Sequence, residues 1–309
     1  MARTGGKAPA VSVVVVTRDR PHELRECLRA IAAQSYAGPL EVIVVYDRSA
    51  VEESLAGSIE DLDVRVMANE RTPGLAGGRN TGLLAAEGEL VAFCDDDDVW
   101  LPGKLWRQAE LLAEVPDVEA VSCGIRIAHG DKRVERVPDL GLVGFRDLLA
   151  SRMAELHPST FCIRRAQLLE GIGLVDESLP GSYAEDYELL LRAAKRAPIA
   201  VVREVLVEVR WHPKSYFASQ WPVISEALCQ LLTSYPEFEQ VRHGAARVSG
   251  QVAFAEAAQG KRASGLRWAG RTFRLNPLEP RGLLAAAVAL GLVRPDTVVR
   301  KLNSRGRGI

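Results

Sequence analysis

Four short runs constrain this 309-residue chain more than anything else in it: VSVVVV from Val11, LEVIVVYD from Leu40, VRVMA from Val64 and LVAFC from Leu90. Apolar, largely β-branched residues follow one another without the polar alternation of a half-exposed strand. Each run therefore predicts a strand buried on both faces. Helical spacing stands between them. Leu24, Cys27, Leu28 and Ile31 fall at i, i+3, i+4 and i+7, behind Asp19 as a cap and Pro21 near the helix start. TPGLAGGRNTGLLAAEG, Thr72 to Gly88, reads as a Gly-rich turn entering a helix that stops at Gly88. Buried strands alternating with helices imply a doubly wound α/β architecture: a mostly parallel central sheet flanked by helices.

In such sheets ligands gather beyond the carboxyl ends of the strands. Three of the four runs end in polar residues there: Thr17-Arg18-Asp19, Asp47, and the run Asp95-Asp96-Asp97-Asp98. Two neighbouring carboxylates ~4 Å apart repel by about 4 kcal/mol at an effective dielectric of ~20. A solvated loop would screen them, but here a buried strand precedes the run and Trp100-Leu101-Pro102 restarts apolar packing at once. If the strand stays extended, Asp95 and Asp97 point one way and Asp96 the other. Paired hard oxygens beside a sheet rim suit Mg2+ or Mn2+, whose shell phosphate oxygens complete.

With 39 Lys+Arg against 40 Asp+Glu, the chain has no global bias towards nucleic acid. Its five cysteines are widely spaced, with no C-x-x-C pair, as expected for reduced thiols in a cytoplasmic protein. The N-terminal apolar run is too short for a signal peptide, and no run reaches the length of a membrane span. The longest, GLLAAAVALGLV from Gly282 to Val293, fits a buried helix, with an interfacial helix on the inner face of a membrane as the alternative. Ala- and Arg-rich usage points to a high-GC bacterium. The expected organisation is a flexible lead (1–10), a main domain (11–218, divided near 125) and a helical C-terminal appendage (219–309). Within the second half of the main domain, a hairpin is expected around Gly130-Asp131, a strand at STFCI, a helix at AEDYELLLRAAKRA and an extended segment at IAVVREVLVEVRW. The appendage should form helices over 222–234, 238–259, 262–275 and 278–293.

These blocks resemble the family-2 glycosyltransferases of the GT-A fold. The family's V-S-V-(I/V)-(I/V)-P-T-Y-N-R is matched by VSVVVVTRDR, its D-D-G-S by VVYDRS, and its N-x-G-x-x-x-A-R-N-x-G by NERTPGLAGGRNTG. Its (F/L)-D-x-D-D is matched by FCDDDDVWLPGKL and its E-D helix start by AEDYELLLRA; HPSTFCIRR and RWHPKS look like later landmarks. The likeness covers roughly residues 11 to 215 and adds little about the last hundred.

The resemblance implies a GT-A-type, Rossmann-like domain that moves a sugar, with inversion, from a nucleoside-diphosphate donor to an acceptor hydroxyl. It implies that Thr17, Arg18 and Asp47 meet the nucleotide, with Arg79 beside it and Asp96 at the ribose. Asp97, with Asp95, would hold Mn2+ or Mg2+, and His212 would approach the metal or diphosphate. Asp186 would be the catalytic base and Glu185 its neighbour orienting the site; His157 would line the acceptor side or buttress a strand. Tyr46, Arg48, Arg18 and Asp19 depart from the family pattern around the base pocket, so uracil is the default base and guanine and thymine stay open. The acceptor, whether saccharide, lipid-linked or small molecule, has no readable code. A homodimer or a peripheral membrane contact through the C-terminal helices stays open too.

Three rivals are weaker. A nucleotidyltransferase needs a G-x-G-T-R loop where TRDRPHEL stands. A Ca2+ module needs a Gly-punctuated ligand loop. A non-catalytic sugar-nucleotide-binding or scaffolding protein has no need of both Asp97 and Asp186. Within the family reading, a natural-product-tailoring enzyme is the alternative to one of cell-surface polysaccharide synthesis.

Overall fold

The computed structural model describes residues 7–60, 62–130, 132–210 and 220–303. It divides into two compact units. One comprises Met1–Phe145, Met153–Glu177 and Glu185–Trp211, and the other Arg146–Arg152, Ser178–Ala184 and His212–Ile309.

The first unit is built on a sheet of ten strands among the described residues: β1 (Val11–Thr17), β2 (Leu40–Tyr46), β3 (Asp63–Ala68), β4 (Leu90–Asp95), β5 (Val99–Trp100), β6 (Ala120–His129), β7 (Lys132–Arg136), β8 (Leu142–Val143), β9 (Cys162–Arg164) and β10 (Ile199–Arg210). Their order is β3-β2-β1-β4-β9-β6-β10-β5, with β7 on β6 and β8 on β10. The four sequence runs are β1 to β4, and they pair in parallel. β9 enters antiparallel between β4 and β6, so the second half of the sheet is mixed. The β6–β7 hairpin turns at Gly130, whose φ of +55° suits a residue without Cβ.

Every residue of β1 is buried, because it lies between β2 and β4 with helices beyond. Helix α1 (Pro21–Ala32) turns Leu24, Cys27, Leu28 and Ile31 inward, onto Val13, Val15, Val42 and Val44. The register sets Thr17 beside Tyr46 and Val16 beside Asp95, bringing three strand ends level on one rim.

Helix α2 (Leu75–Ala85) corrects one reading. Gly77, Gly78 and Gly82 lie inside the helix and not in a turn before it; only Gly74, with φ +125°, precedes it. A Cβ on Gly78 would sit 2.6 Å from Val16 Cγ1, one on Gly82 2.4 Å from Val14 Cγ1, and one on Gly77 1.9 Å from the Thr72 carbonyl oxygen. The glycines let this helix lie directly against β1. The β2–β3 link carries only a single 3₁₀ turn, Glu53–Leu55. Helix α3 (Lys104–Glu114) follows the acidic run, and the AEDYELLLRAAKRA segment forms a helix over Glu185–Arg196.

Between those two helices stand α4 (Phe145–Ala150) and the one-turn α5 (Arg165–Gln167), so Glu185–Arg196 is α6. The second unit adds α7 (Trp221–Ser234), α8 (Arg242–Ala258), α9 (Arg262–Leu275), α10 (Pro280–Ala289) and α11 (Pro295–Asn303). The first four match the helical expectation. α11 is extra, and α8 starts later than expected because Pro236–Gln240 forms a separate 3₁₀ turn. Ala253, Phe254, Ala257, Ala269, Ala285 and Ala289 make its core, and Gly265 packs against Ala257 at the α8–α9 crossing.

Candidate active site

The acidic run sits where β4 ends, as a tight turn in which the Asp98 N–H donates to the Asp95 carbonyl (3.1 Å). The four side chains go different ways. Asp96 is buried and accepts from Thr17 Oγ1 at 2.7 Å. Arg20 donates to both Asp96 (3.1 Å) and Asp97 (2.6 Å). Asp95 accepts from Arg79 at 2.8 Å. Asp98 turns inward, 1% exposed, and accepts from Ser159 Oγ at 2.5 Å and from the Arg210 N–H at 3.3 Å. Ser159 Oγ in turn accepts from the Asp95 N–H (3.0 Å), and Trp100 Nε1 donates to the Ser159 carbonyl (2.9 Å).

Burial sets the electrostatics. It pushes Asp96 up to about 6, with Asp97 adding to the rise and the Thr17 hydroxyl opposing it. Burial, together with Asp95 and Asp97, pushes Asp98 well above the carboxylate range. At Asp95 burial acts the same way, but Arg79 and His157 outweigh it and the carboxyl falls below its ordinary value.

Arg79 joins the run to the start of α6. Its guanidinium, 4% exposed, donates to Asp95 and to Glu185, which lies 106 residues further along the chain. Burial opposes the charge of Arg79, yet Asp95 and Glu185 hold it protonated. Burial lifts Glu185 to about 7 against the pull of Arg79. Asp186 is half-buried, accepts from the Tyr187 N–H at 2.7 Å, and lines a crevice with Arg79, Phe93, Pro158 and Phe161.

Asp47 ends β2. One of its oxygens accepts from Asn69 Nδ2 (2.9 Å) and the Gly74 N–H (3.0 Å), the other from Arg48 Nε (2.9 Å). Burial would raise it, but these bonds hold it below its ordinary value. Asp19 and Arg48, which replace asparagine and glycine of the family pattern, both adopt left-handed backbone, with φ +54° and +53°. Left-handed backbone costs a residue with a Cβ about 1 kcal/mol, more readily borne by Asp19 than by Arg48.

The structure therefore gathers two bonded sets side by side at the end of β4, Thr17 with Asp96, Arg20 and Asp97, and Arg79 with Asp95 and Glu185; Asp186 is on the crevice beside Arg79 and Asp47 on the same rim. It does not bring Arg18 in. That side chain lies 3.7 Å from Asp19, and the arginine on the acidic run is Arg20, which the sequence reading missed. The signal was available, since Arg20 is the last residue of the first matched block. His157 lies against the acidic run, its Nε2 3.9 Å from Asp95 and its Nδ1 3.3 Å from Asp98. His212 lies outside the described residues. Two further residues had no sequence signal. Lys104 is wholly buried, its Nζ 3.7 Å from the Trp100 ring centroid and 2.8 Å from Gln108 Oε1. Glu177 accepts from Arg71, Thr72 and Asn80; burial raises it, but these bonds hold it at about 2.

The donor set fits a hard divalent cation. Ligand atoms of Asp95, Asp98 and His157 lie within 4.8 Å of one another, the cluster of this kind among the described residues. Four aspartates face two arginines here, and after burial it is their neighbouring carboxylates that add to the upward push on Asp96 and Asp98. All four carboxylates already accept bonds, Asp95 from Arg79, Asp96 from Thr17 and Arg20, Asp97 from Arg20 and Asp98 from Ser159, and Asp95 and Asp98 are the two that lie with His157 in ligating distance of one another.

The comparisons with known proteins point to one family and one fold. The model of the family described as "Glycosyl transferase family 2" matches residues 12–167. The amylovoran biosynthesis glycosyltransferase AmsE of Erwinia amylovora is 27% identical over 211 residues, 65% of this chain and 75% of that one. Among solved structures, residues 1–349 of S. aureus TarS in complex with UDP-GlcNAc superpose with a TM-score of 0.61 at 19% identity, covering 96% of this chain and 92% of that one. The mannosyltransferase PcManGT of Pyrobaculum calidifontis, in complex with GDP-Man and Mn2+, gives 0.58 at 21% identity, covering 94% and 82%.

Proposed function

This chain belongs to glycosyl transferase family 2, and on that premise we propose that it is a metal-dependent inverting glycosyltransferase acting on a nucleoside-diphosphate sugar. The observation that carries the reading is the Arg79 bridge, which ties the acidic run of the donor rim to the Glu185-Asp186 pair. A base on α6 is thereby held beside the strand ends where such folds bind nucleotides.

In this reading Asp47 accepts from a base N–H, with uracil the default, and Asp96 accepts from the ribose hydroxyls. Asp97 and Asp95 hold Mn2+ or Mg2+, with His157 within reach of Asp95; when bound, the ion supplies Lewis-acid stabilisation of the leaving diphosphate. Arg20, already on Asp97, is placed to meet phosphate oxygens. Asp186 takes the proton of the acceptor hydroxyl as that oxygen bonds to the anomeric carbon. The bond from that carbon to the diphosphate breaks on the opposite face, so configuration inverts. Glu185 acts through Arg79, fixing the first turn of α6. The acceptor is a saccharide, lipid-linked sugar or small molecule, and AmsE supports a place in surface polysaccharide synthesis.

A thermal-shift screen with UDP, GDP and TDP, each with and without Mn2+, tests the donor site. A nucleotide at about 100 times its Kd adds roughly 2.7 kcal/mol of stability. Stabilisation by one nucleotide only with metal supports the reading and identifies the base. Absence of any shift would turn it towards a scaffolding role.

A further inference from the structure

Six of the eleven exposed large hydrophobic side chains among the described residues fall between 266 and 293, in the helical unit. α10 and the residues that flank it hold five of them. Its inner face, Gly282, Ala285, Val288 and Ala289, is buried, and Ala285, Val288 and Ala289 belong to the unit's core. Its outer face is apolar as well: Leu283 is 66% exposed and Leu290 60%, with Ala287 between them at i+4. Leu292, 73% exposed, extends this surface past the helix end, and Leu278, 87% exposed, precedes it. A helix that is apolar on both sides needs apolar surroundings on both.

The charge around this face states what those surroundings are. Between 261 and 303 the chain carries nine Lys and Arg against two Asp and Glu, although its net charge is −1; Lys261 pairs with Glu256 and Arg271 with Glu239, which leaves the basic excess smaller but of the same sign. One of the two acids, Glu279, is buried and bonded to Arg281. Arg262 lies beside the turn after α10, its Nη2 3.8 Å from where a Cβ on Gly291 would stand, and exposed Arg294 follows Val293. Exposed leucines flanked by Arg262 and Arg294 match an apolar layer beneath anionic headgroups. Among the described residues no helix is long and apolar enough to cross a membrane, so such contact is interfacial.

We propose that α10 and the turn after it dock on a bilayer surface bearing anionic lipid. Leu283, Leu290 and Leu292 enter the headgroup boundary, and Arg262 and Arg294 meet lipid phosphates. The proposal is independent of the donor-site reading.

The full chain is sedimented with vesicles of phosphatidylcholine alone and of equal parts phosphatidylcholine and phosphatidylglycerol. Binding is expected on the anionic vesicles only and should weaken as salt is raised. Leu290→Asp with Leu292→Asp, both exposed in the fold, should abolish it. Arg262→Glu with Arg294→Glu should weaken it at least fivefold for each arginine. A chain that stays in the supernatant with both vesicles overturns the proposal, as does one that binds both equally. So does a dimer that Leu290→Asp splits, which would make this face a self-association surface. Nucleotide thermal shifts on the same preparations report the donor site separately.

Discussion

Replacing Arg79 by methionine should expose how the two halves of the active site are held together. The guanidinium is 4% exposed and bonds Glu185, whose side chain is 5% exposed, and Asp95, at 26%. Removing one partner of a buried ion pair costs roughly 3–5 kcal/mol. Asp95 keeps access to water and its neighbour His157, so the loss should lie near the lower end, about 3 kcal/mol at about pH 8. Glu185 has neither. Burial already lifts its carboxyl from 4.5 to about 7 with Arg79 present, and without Arg79 it rises further. A carboxyl raised in the folded state lends stability at acid pH, fully present below 4.5 and lost as pH rises through the folded value. The deficit of Arg79→Met should therefore narrow towards about pH 5.5, where Glu185 takes up its proton. Adding Glu185→Leu removes the stranded carboxylate and should restore most of the loss. Urea unfolding of the single and double variants at both pH values measures this. A deficit under about 1 kcal/mol, or one equal at both pH values, or a double variant no more stable than the single, would refute the reasoning.

Asp186→Asn should keep metal-dependent nucleotide binding and lose at least ~100-fold in transfer, measured by donor titration beside product formation. Asp97→Asn should instead lose the Mn2+-dependent part of nucleotide binding, seen as a thermal shift no longer changed by metal. Thr17→Val removes a bond that holds Asp96 down, so its carboxyl should move above about 6. The acid limb of nucleotide binding should move up with it, because only the ionised form accepts from two ribose hydroxyls; binding measured across pH would show an unmoved limb if the assignment is wrong. Gly77→Ala gains about 1 kcal/mol in helix propensity yet drives a Cβ to 1.9 Å from the Thr72 carbonyl oxygen. A net loss of about 1–3 kcal/mol in urea unfolding is expected.

The half of the sheet nearest the site was legible because strands buried on both faces leave a long apolar signature, as β1, β2 and β4 do. β3 was found as a strand but not as what it is: an edge strand with Val64 alone buried, because among the described residues no strand covers its outer side. The mixed half was less legible, since β5 and β8 are two-residue strands set by pairing rather than composition. The candidate cluster was legible where carboxylates were concentrated, in Asp95 to Asp98 and Glu185-Asp186, which Arg79 joins. Arg20 stood in the first matched block beside Arg18, but only the backbone path through left-handed Asp19 shows that Arg20 is the one on Asp96 and Asp97. Lys104 reads as a surface lysine, and only the Trp100 ring and Gln108 beside it show why it is buried. The α2 glycines looked like a turn because propensity disfavours them in helices, and close packing on β1 overrode propensity.

That packing also says something about when the active site comes into being. Three glycines inside an eleven-residue helix weaken it by about 3 kcal/mol, so α2 has no helical life of its own before the sheet exists. Arg79 and Asn80 ride on it, so the bridge to Glu185 and the clasp on Glu177 form only after β1 has been laid down between its neighbours. In amide hydrogen exchange α2 should therefore open no later than β1, and its amides should never stay protected once those of β1 exchange. The chain thus acquires its catalytic arrangement late and all at once.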